Sequence, residues 1–93
     1  MTVGILRLTL FIPDSNSLKH KRMVLHSIKA RMRNNFNVAV TQIGDEDKWQ
    51  KATLAVVGVE KDVRRINAIL SNVVNFVEEF KTINLINYEM ELI

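Results

Sequence analysis

Apolar side chains recur at every second position from Leu6 to Ile12, and the residues between them are of mixed polarity. A period of two is typical of a β-strand that buries one face. The pattern predicts a first strand from Val3 to Ile12. Pro13 ends it, because proline lacks the N–H group that a strand ladder needs.

A different period begins after the polar run of residues 14–17. Ser17 supplies a hydroxyl oxygen of the kind that caps the first turn of a helix. From Leu18 to about Asn34 apolar residues recur at helical spacing, and no Gly or Pro interrupts them. The sequence therefore predicts a first helix that starts near Ser17. Its apolar side chains are Leu18, Leu25, Ile28 and Met32.

Three more segments complete the chain. Residues 36–43 and 51–59 alternate again around the polar residues 44–48, which predicts a hairpin of two strands. Residues 61–81 carry a broad apolar stripe at helical spacing, which predicts a second helix. Residues 83–93 end in strict alternation, which predicts a last, half-buried strand.

The predicted order, β-α-β-β-α-β, is that of the split βαβ motif. We therefore predict an α+β fold of the ferredoxin-like kind, a four-stranded antiparallel sheet with two helices on one face. A chain of 93 residues is too short for two independent cores, so residues 1–93 are expected to form one domain.

The other face of that sheet, called the open face below, is predicted to be more apolar than a solvated surface needs. Its predicted apolar residues are Val3, Ile5, Phe11, Ala39, Ile43, Ala55, Val57 and Val59. Patches of this kind often mark an interface, which predicts a homodimer or larger homo-oligomer through the open face. The alternative, that scattered exposed aliphatic residues are ordinary, stays open.

Composition narrows the class of protein. Hydrophobic residues make up 47% of the chain and charged residues 25%, a balance typical of a globular protein. The chain has no cysteine, so it forms neither disulfides nor thiolate zinc sites, and we expect a cytoplasmic location. The apolar start fits neither a signal peptide nor a membrane span, so no membrane partner is expected.

The net charge of +3 is unevenly distributed. Residues 1–37 hold seven basic residues and one acidic residue, whereas residues 38–93 hold six basic and nine acidic residues. The basic part is concentrated in the predicted first helix. A surface with its positive charge concentrated in one part favours an anionic partner at that part.

The candidate anion-binding or nucleic-acid-binding residues are Ser17, Lys19, Lys21, Arg22, His26, Lys29 and Arg33. On a helix, five of them fall within an arc of roughly 80° and extend over about 20 Å. We call this set the basic stripe; it contains Lys19, Arg22, His26, Lys29 and Arg33. Such a stripe could follow the phosphates of RNA, and a merely solvated basic face is an equally good interpretation.

Lys21 differs from its neighbours because its helical angle places it at the edge of the core. We expect it either to extend its ammonium to the surface or to pair with a carboxylate such as Asp14 or Asp47; a structural ion pair is favoured, and direct contact with a ligand is the alternative. Trp49 is expected to cover the end of the core, with stacking on a base as its alternative.

No pattern in the sequence indicates catalysis. There is no Gly-rich phosphate loop, nucleophile elbow or catalytic triad order. His20 and His26 are six residues apart, which is not the spacing of a helical zinc site. The acidic turn of residues 45–47 lacks the ligand series of an EF-hand. We therefore expect no enzyme activity, no cofactor and no metal.

Three segments together resemble a known family: Ser17–Arg22 (SLKHKR), Phe36–Val40 (FNVAV) and Asp47–Ala52 (DKWQKA). They are similar to the YlxP-like family of small bacterial proteins, also known as domain of unknown function 503. The resemblance implies a ferredoxin-like fold and no established catalytic residue. Family members are often encoded beside translation initiation factor 2 and ribosome-binding factor A, which implies a role near ribosome assembly or translation.

The sequence departs from the family pattern at two positions. Gln42 stands where many members have Glu, and Asn35 where a basic residue is common. Our leading hypothesis is an RNA-binding or ribosome-associated protein that contacts ribosomal RNA or another polyanion through its basic first helix. The alternatives are a protein-interaction or self-assembly module that uses the open face, and a small-ligand sensor or enzyme subunit.

Overall fold

The computed structural model describes residues 1–93 and contains the six predicted elements in the predicted order. They are β1 (Thr2–Phe11), α1 (Leu18–Asn35), β2 (Ala39–Gly44), β3 (Lys51–Glu60), α2 (Val63–Glu78) and β4 (Asn84–Leu92). Strand β2 begins three residues later than predicted. The backbone N–H of Phe36 still caps α1 by donating to Met32, so residues 36–38 leave the helix before the ladder begins.

The four strands form one antiparallel sheet in the order β2-β3-β1-β4. The predicted ferredoxin-like α+β arrangement is therefore confirmed. Strands β1 and β3 are central, and β2 and β4 are the edges. Neither helix combines the length and the apolar character that a membrane crossing requires.

The core lies between the sheet and the helices. The alternation in β1 buries Leu6, Leu8 and Leu10 completely, as the period of two predicts. Helix α1 adds its predicted residues Leu25, Ile28 and Met32, and α2 adds the buried set Ile66, Leu70, Val73, Val74 and Val77. Sixteen buried apolar residues form one continuous cluster.

The two helices sit differently on the sheet. Helix α2 approaches β1 and β3 closely where Gly4 and Gly58 lie opposite each other. A Cβ atom at Gly4 would lie 2.6 Å from Cγ1 of Ile66, so only glycine admits the helix at this distance. Helix α1 packs near β2 and against α2, so it lies on the β2 side of the molecule.

The open face carries no helix, and its apolar side chains are half-buried or exposed. Ile5 lies opposite Val57, which in turn lies opposite Ala39, so an aliphatic row crosses three strands. The exposed fraction of Val59 is 51%. Arg7 spans to Glu91 on β4 at 3.7 Å, which adds one exposed ion pair to this face.

Candidate nucleic-acid interface

Helix α1 begins at the predicted cap. Ser17 has an extended backbone, and its Oγ accepts a hydrogen bond of 3.1 Å from the backbone N–H of His20. Ser15 Oγ in turn donates to the carbonyl of Ser17. These bonds satisfy groups that a helix start leaves free and fix the direction in which α1 leaves the loop. The role that the structure shows for Ser17 is therefore that of a helix cap.

The side chains of the basic stripe lie on the surface of α1. Lys19, Arg22, His26 and Arg33 are exposed, and Lys29 is half-buried. The ion pairs of the molecule are Arg7–Glu91, Lys48–Asp45, Lys51–Asp45 and Arg65–Glu60. None of them involves the stripe. Two lysines, two arginines and one histidine therefore lie on the surface of α1 without an ion pair to a carboxylate of the chain.

The stripe points away from α2. The side of α1 that faces α2 carries Val24, Ser27 and Arg31, which line a groove together with Phe76 of α2 and residues 79–82 that follow it. Since successive helix residues are about 100° apart, the stripe is centred roughly 150° from these three side chains. It therefore forms the outer flank of α1, on the β2 side of the molecule, and not part of the interhelical groove.

Arg31 has a separate role on the groove side. Its guanidinium lies 5.4 Å from the ring centre of Phe80. The Phe80 ring also packs edge-on against Phe76, which packs in the same way against Phe36. This aromatic ladder ties the end of α1 to α2 and leaves Arg31 out of the stripe.

The structure removes Lys21 from the predicted anion-binding set. Its exposed fraction is 1%, and its ammonium donates to backbone carbonyls of the β2–β3 loop and of the first residue of β3. The acceptors are the carbonyls of Asp45 at 2.6 Å, Lys51 at 3.1 Å, Glu46 at 3.4 Å and Lys48. The predicted ion pair with a side-chain carboxylate is also wrong, because these main-chain oxygens take its place.

Burial lowers the pKa of the Lys21 ammonium from its usual 10.5, although the nearby carboxylates of Asp45, Asp47 and Glu46 raise it in part. An ammonium group has three N–H donors, and the surrounding carbonyl oxygens accept all of them. Lys21 is therefore a structural cation. It fastens the β2–β3 loop to the second turn of α1, and its ammonium has no surface left for a phosphate.

The acidic turn has its own side-chain network at Asp45. Asp45 adopts a left-handed backbone with φ of 65°, a conformation that Asp and Asn tolerate better than most residues. Its carboxylate accepts a hydrogen bond of 2.9 Å from Thr53 and lies 3.3 Å from the Lys48 ammonium. The hydrogen bond from Thr53 lowers the pKa of the Asp45 carboxyl below 3.8, with Lys48 and Lys51 acting in the same direction.

Trp49 does not cover the core. Its exposed fraction is 57%, so the predicted packing role is wrong. The next residue, Gln50, ties this loop to the segment before α1: its carbonyl accepts from Ile12, and its side chain donates to Pro13 and Ser15. Trp49 is left on the surface of a loop that is held from two sides.

Histidines and acidic residues do not gather into a metal site. No group of three or more His, Asp or Glu side chains lies close enough together to hold an ion. His20 Nδ1 is shielded from solvent and has no hydrogen-bond partner, whereas His26 is exposed on the stripe. The two rings thus have different surroundings, as their spacing predicts.

Two segments that are separate motifs in the sequence meet in the fold, which the sequence does not predict. The Lys21 bonds to the carbonyls of Lys48 and Lys51 join Ser17–Arg22 to Asp47–Ala52 at one end of the molecule. A lysine in line with the apolar side of a helix, with a polar loop elsewhere in the chain, indicated a buried cation. Main-chain acceptors leave no trace in the residue types, so the partner was not predictable.

Comparison with known proteins places this chain among proteins of similar sequence and fold. A family model described as "Protein of unknown function (DUF503)" matches residues 3–90. The chain is 33% identical over 81 residues to "Uncharacterized protein YlxP" of Bacillus subtilis (strain 168), covering 87% of this chain and 88% of that protein.

A solved structure shares the arrangement of strands and helices. It is a variant of SnoaB, a cofactor-independent oxygenase from Streptomyces nogalater, which matches with a TM-score of 0.51 and 13% sequence identity. The match covers 99% of this chain and 90% of that one. At this identity the likeness concerns the fold alone, because unrelated functions share this fold.

Proposed function

The chain belongs to the DUF503 family of proteins of unknown function, and from that premise we propose that it is a non-enzymatic RNA-binding protein. The basic stripe on α1 contacts phosphates of a structured RNA such as ribosomal RNA. Lys19, Arg22, Lys29 and Arg33 supply the permanent charges, and His26 adds a further donor. Ser17 holds the start of the helix in place, and Lys21 supports it from inside.

One observation carries this proposal: the cationic side chains of the stripe are free of ion pairs within the chain. Carboxylates of the protein would compete with phosphates for these groups if they lay close by. Instead, the acidic residues that do form ion pairs do so with Arg7, Lys48, Lys51 and Arg65. The stripe thus offers its full charge to an external polyanion.

The arrangement favours recognition of the backbone over recognition of base sequence. Lys19 and Arg33 are fourteen residues apart in α1, which corresponds to about 21 Å along the axis. Charges spread over this length can meet several phosphates at once, and phosphate contacts position a protein without reading sequence. Four such contacts predict that log K falls with log salt with a slope of about −3 to −4.

The test is charge reversal on the stripe. Arg22→Glu with Lys29→Glu should weaken binding to a fragment of ribosomal RNA by at least about tenfold and should make the salt slope shallower by roughly two. Fluorescence anisotropy of labelled RNA, repeated over a series of salt concentrations, measures both quantities.

A matched control has the same net charge but leaves the stripe intact. Lys61→Glu with Arg64→Glu changes two exposed residues at the start of α2 that take part in no ion pair. This control should shift the affinity by less than about threefold, through the long-range field alone. Equal losses in the two double variants would reject the stripe as the binding surface.

The open face favours a second candidate function, self-association with another copy of this chain. Its flat footprint is roughly 500–600 Å², estimated from strands about 4.8 Å apart with a rise of about 3.3 Å per residue. This approaches the roughly 800 Å² that each partner buries in a stable interface. Arg7 and Glu91 on the same face allow opposite charges to meet across a twofold axis.

A further inference from the structure

We propose that Trp49 is a base-stacking residue, so that the RNA recognised by this protein has an unpaired nucleotide beside the segment held by the basic stripe. This inference rests on the proposed RNA-binding function and narrows the class of RNA. The stripe by itself would accept any phosphate backbone. An exposed indole adds a requirement that a continuous duplex does not meet, because duplex bases are stacked on each other.

The exposure of Trp49 is the first observation behind this proposal. Tryptophan is the largest apolar side chain, and Trp49, between the turn at residues 46–47 and the start of β3, is 57% exposed to solvent. The core does not need it, since Ala52 and Leu54 are the first completely buried residues of β3. A side chain that contributes little to the core and much exposed apolar area fits a surface contact.

The loop that carries Trp49 is fixed in place, which is the second observation. Lys21 binds the carbonyl of Lys48, which belongs to the peptide group that links Lys48 to Trp49. On the other side, Gln50 donates to the carbonyls of Pro13 and Ser15 at 3.2 Å each. The residues on both sides of Trp49 are therefore tied to α1 or to the loop before it. A fixed aromatic group loses little conformational freedom on binding.

The same bonds set the distance between Trp49 and the stripe. An extended lysine side chain spans roughly 6 Å, so the bond from Lys21 to the Lys48 carbonyl keeps the Trp49 Cα within roughly 12 Å of the Lys21 Cα. Lys19 and Arg22 lie in the same turns of α1 as Lys21. A distance of this size corresponds to three or four nucleotide steps of about 3.4 Å. One strand can therefore reach both the first stripe residues and the indole.

The geometry also explains why a lysine is buried at position 21. An apolar residue in place of Lys21 would take this donor from the carbonyls of Glu46 and Lys48, and the loop would lose its tie to α1. With Lys21 present, the loop carrying Trp49 keeps one position relative to the cations of α1. Lys21 is thus a positioning residue for this contact, although it does not touch RNA.

The test uses the fact that Trp49 is the only tryptophan in the chain. Its emission reports on this one site without any label. Two RNAs serve as probes: a single-stranded oligonucleotide of about ten nucleotides and a blunt duplex of the same length. The single strand should quench the emission on binding, because stacking brings a base onto the indole. The duplex should bind through the stripe and leave the emission nearly unchanged.

Substitution gives a second, independent measurement. Trp49→Ala should weaken binding of the single strand by about 5- to 100-fold and binding of the duplex by less than about twofold. Trp49→Phe, which keeps an aromatic ring, should restore part of the lost affinity. Both substitutions leave the core intact because the side chain is exposed, and circular dichroism checks that the fold is unchanged.

The possible failures are distinguishable. RNA binding that depends on Arg22 and Lys29 but is equally strong in Trp49→Ala would overturn the role of Trp49 and leave the RNA-binding function standing. Absence of any RNA binding would overturn both. If Trp49→Ala instead abolished self-association in sedimentation measurements and left single-strand affinity unchanged, the indole would be a protein contact and the stacking role would be rejected.

Discussion

Lys21 is the one charged side chain that is buried in this molecule. Its ammonium joins helix α1 to the β2–β3 loop through main-chain carbonyls. A buried cation is tolerated only where hydrogen bonds replace its lost hydration. The carbonyls supply these bonds, so we expect removal of the ammonium to cost more stability in lost hydrogen bonds than it gains by removing the buried charge.

Lys21→Met tests this statement. Methionine fills a similar volume but donates no hydrogen bond, so the carbonyls of Lys48 and Glu46 lose the donor they have in the native protein. We expect the free energy of unfolding to fall by roughly 2–4 kcal/mol in urea denaturation. Lys61→Met, at an exposed position, should change it by less than about 0.5 kcal/mol. A more stable Lys21→Met variant would contradict the structural role.

The close contacts at Gly4 give a second prediction about a single residue. A Cβ atom there would meet Ile66 Cγ1 at 2.6 Å and Leu70 Cδ1 at 2.7 Å, so these side chains or α2 itself would have to shift. We expect Gly4→Ala to lower the free energy of unfolding by about 1–3 kcal/mol, despite the entropy that alanine removes from the unfolded chain. Gly58→Ala, with its nearest contact at 3.0 Å, should lose less. The reverse ranking in denaturant melts would contradict the close approach of α2.

The lowered pKa of Asp45 predicts that the stability of the protein depends on pH. The hydrogen bond from Thr53 lowers its pKa in the folded protein below 3.8, the value for an unperturbed carboxyl. A lowered carboxyl pKa contributes stability that is present above the unfolded pKa and is lost as pH falls through the folded pKa. The free energy of unfolding should therefore fall below about pH 4.

Asp45→Asn should make that acid loss smaller, because the amide does not titrate, and Asn tolerates the left-handed backbone at this position. Asp14→Asn is the control, since Asp14 is exposed and forms no ion pair. Denaturation curves over a pH series compare the three proteins. An unchanged acid slope in Asp45→Asn would show that other carboxyl groups cause the loss.

Helix α1 supplies both buried side chains of the core and the candidate interface. Its first turn has no acidic residue, although the start of a helix carries a partial positive charge. Lys19 and Arg22 near this end are therefore unfavourable for helix stability. Arg33 in the last turn is favourable. The stripe keeps its positive charge along the whole helix, including the end where that charge destabilises it.

A pair of charge reversals separates these effects. Lys19→Glu should raise the free energy of unfolding by about 0.3–1 kcal/mol, and Arg33→Glu should lower it by a similar amount, since each changes the charge at one end of the helix dipole. Both should weaken RNA binding if the stripe holds phosphates. Thermal melts and anisotropy titrations measure the two effects side by side. Lys19→Glu with unchanged RNA affinity would favour a merely solvated helix face.

The sheet of this molecule is covered by helices on one face only. The helices bury one face, while the open face leaves Val59 and Ile43 about half exposed. The outer flank of α1 and the open face are different surfaces of the molecule. An RNA on one and a second copy of the chain on the other are therefore compatible.

Val57→Lys tests self-association. Val57 lies in the central strand β3, between Ile5 and Ala39, so a lysine there would place a charge in the middle of the interface. We expect sedimentation velocity to show a dimer for the native protein and a monomer for this variant. Met23→Lys adds the same charge at an exposed helix position and should leave the dimer intact. A monomeric native protein at high concentration would reject the interface.

The sequence alone was enough for the order of the elements and most of the core. Periods of two and of 3.6 residues identified β1 and α1 because each pattern follows from local backbone geometry. Ser17 marked the helix start for the same reason, since a cap acts within one turn. The basic stripe was predictable as a set of positions on one helix face.

Only the tertiary structure decided the roles of Lys21 and Trp49. Lys21 binds main-chain oxygens more than twenty residues away, and such acceptors are present in every residue, so no residue type marks them. Trp49 is 57% exposed, and no local pattern around it separates a surface position from a core position. Local patterns determine which elements form, whereas the assignment of a side chain to core, loop anchor or surface depends on distant parts of the chain that meet only on folding.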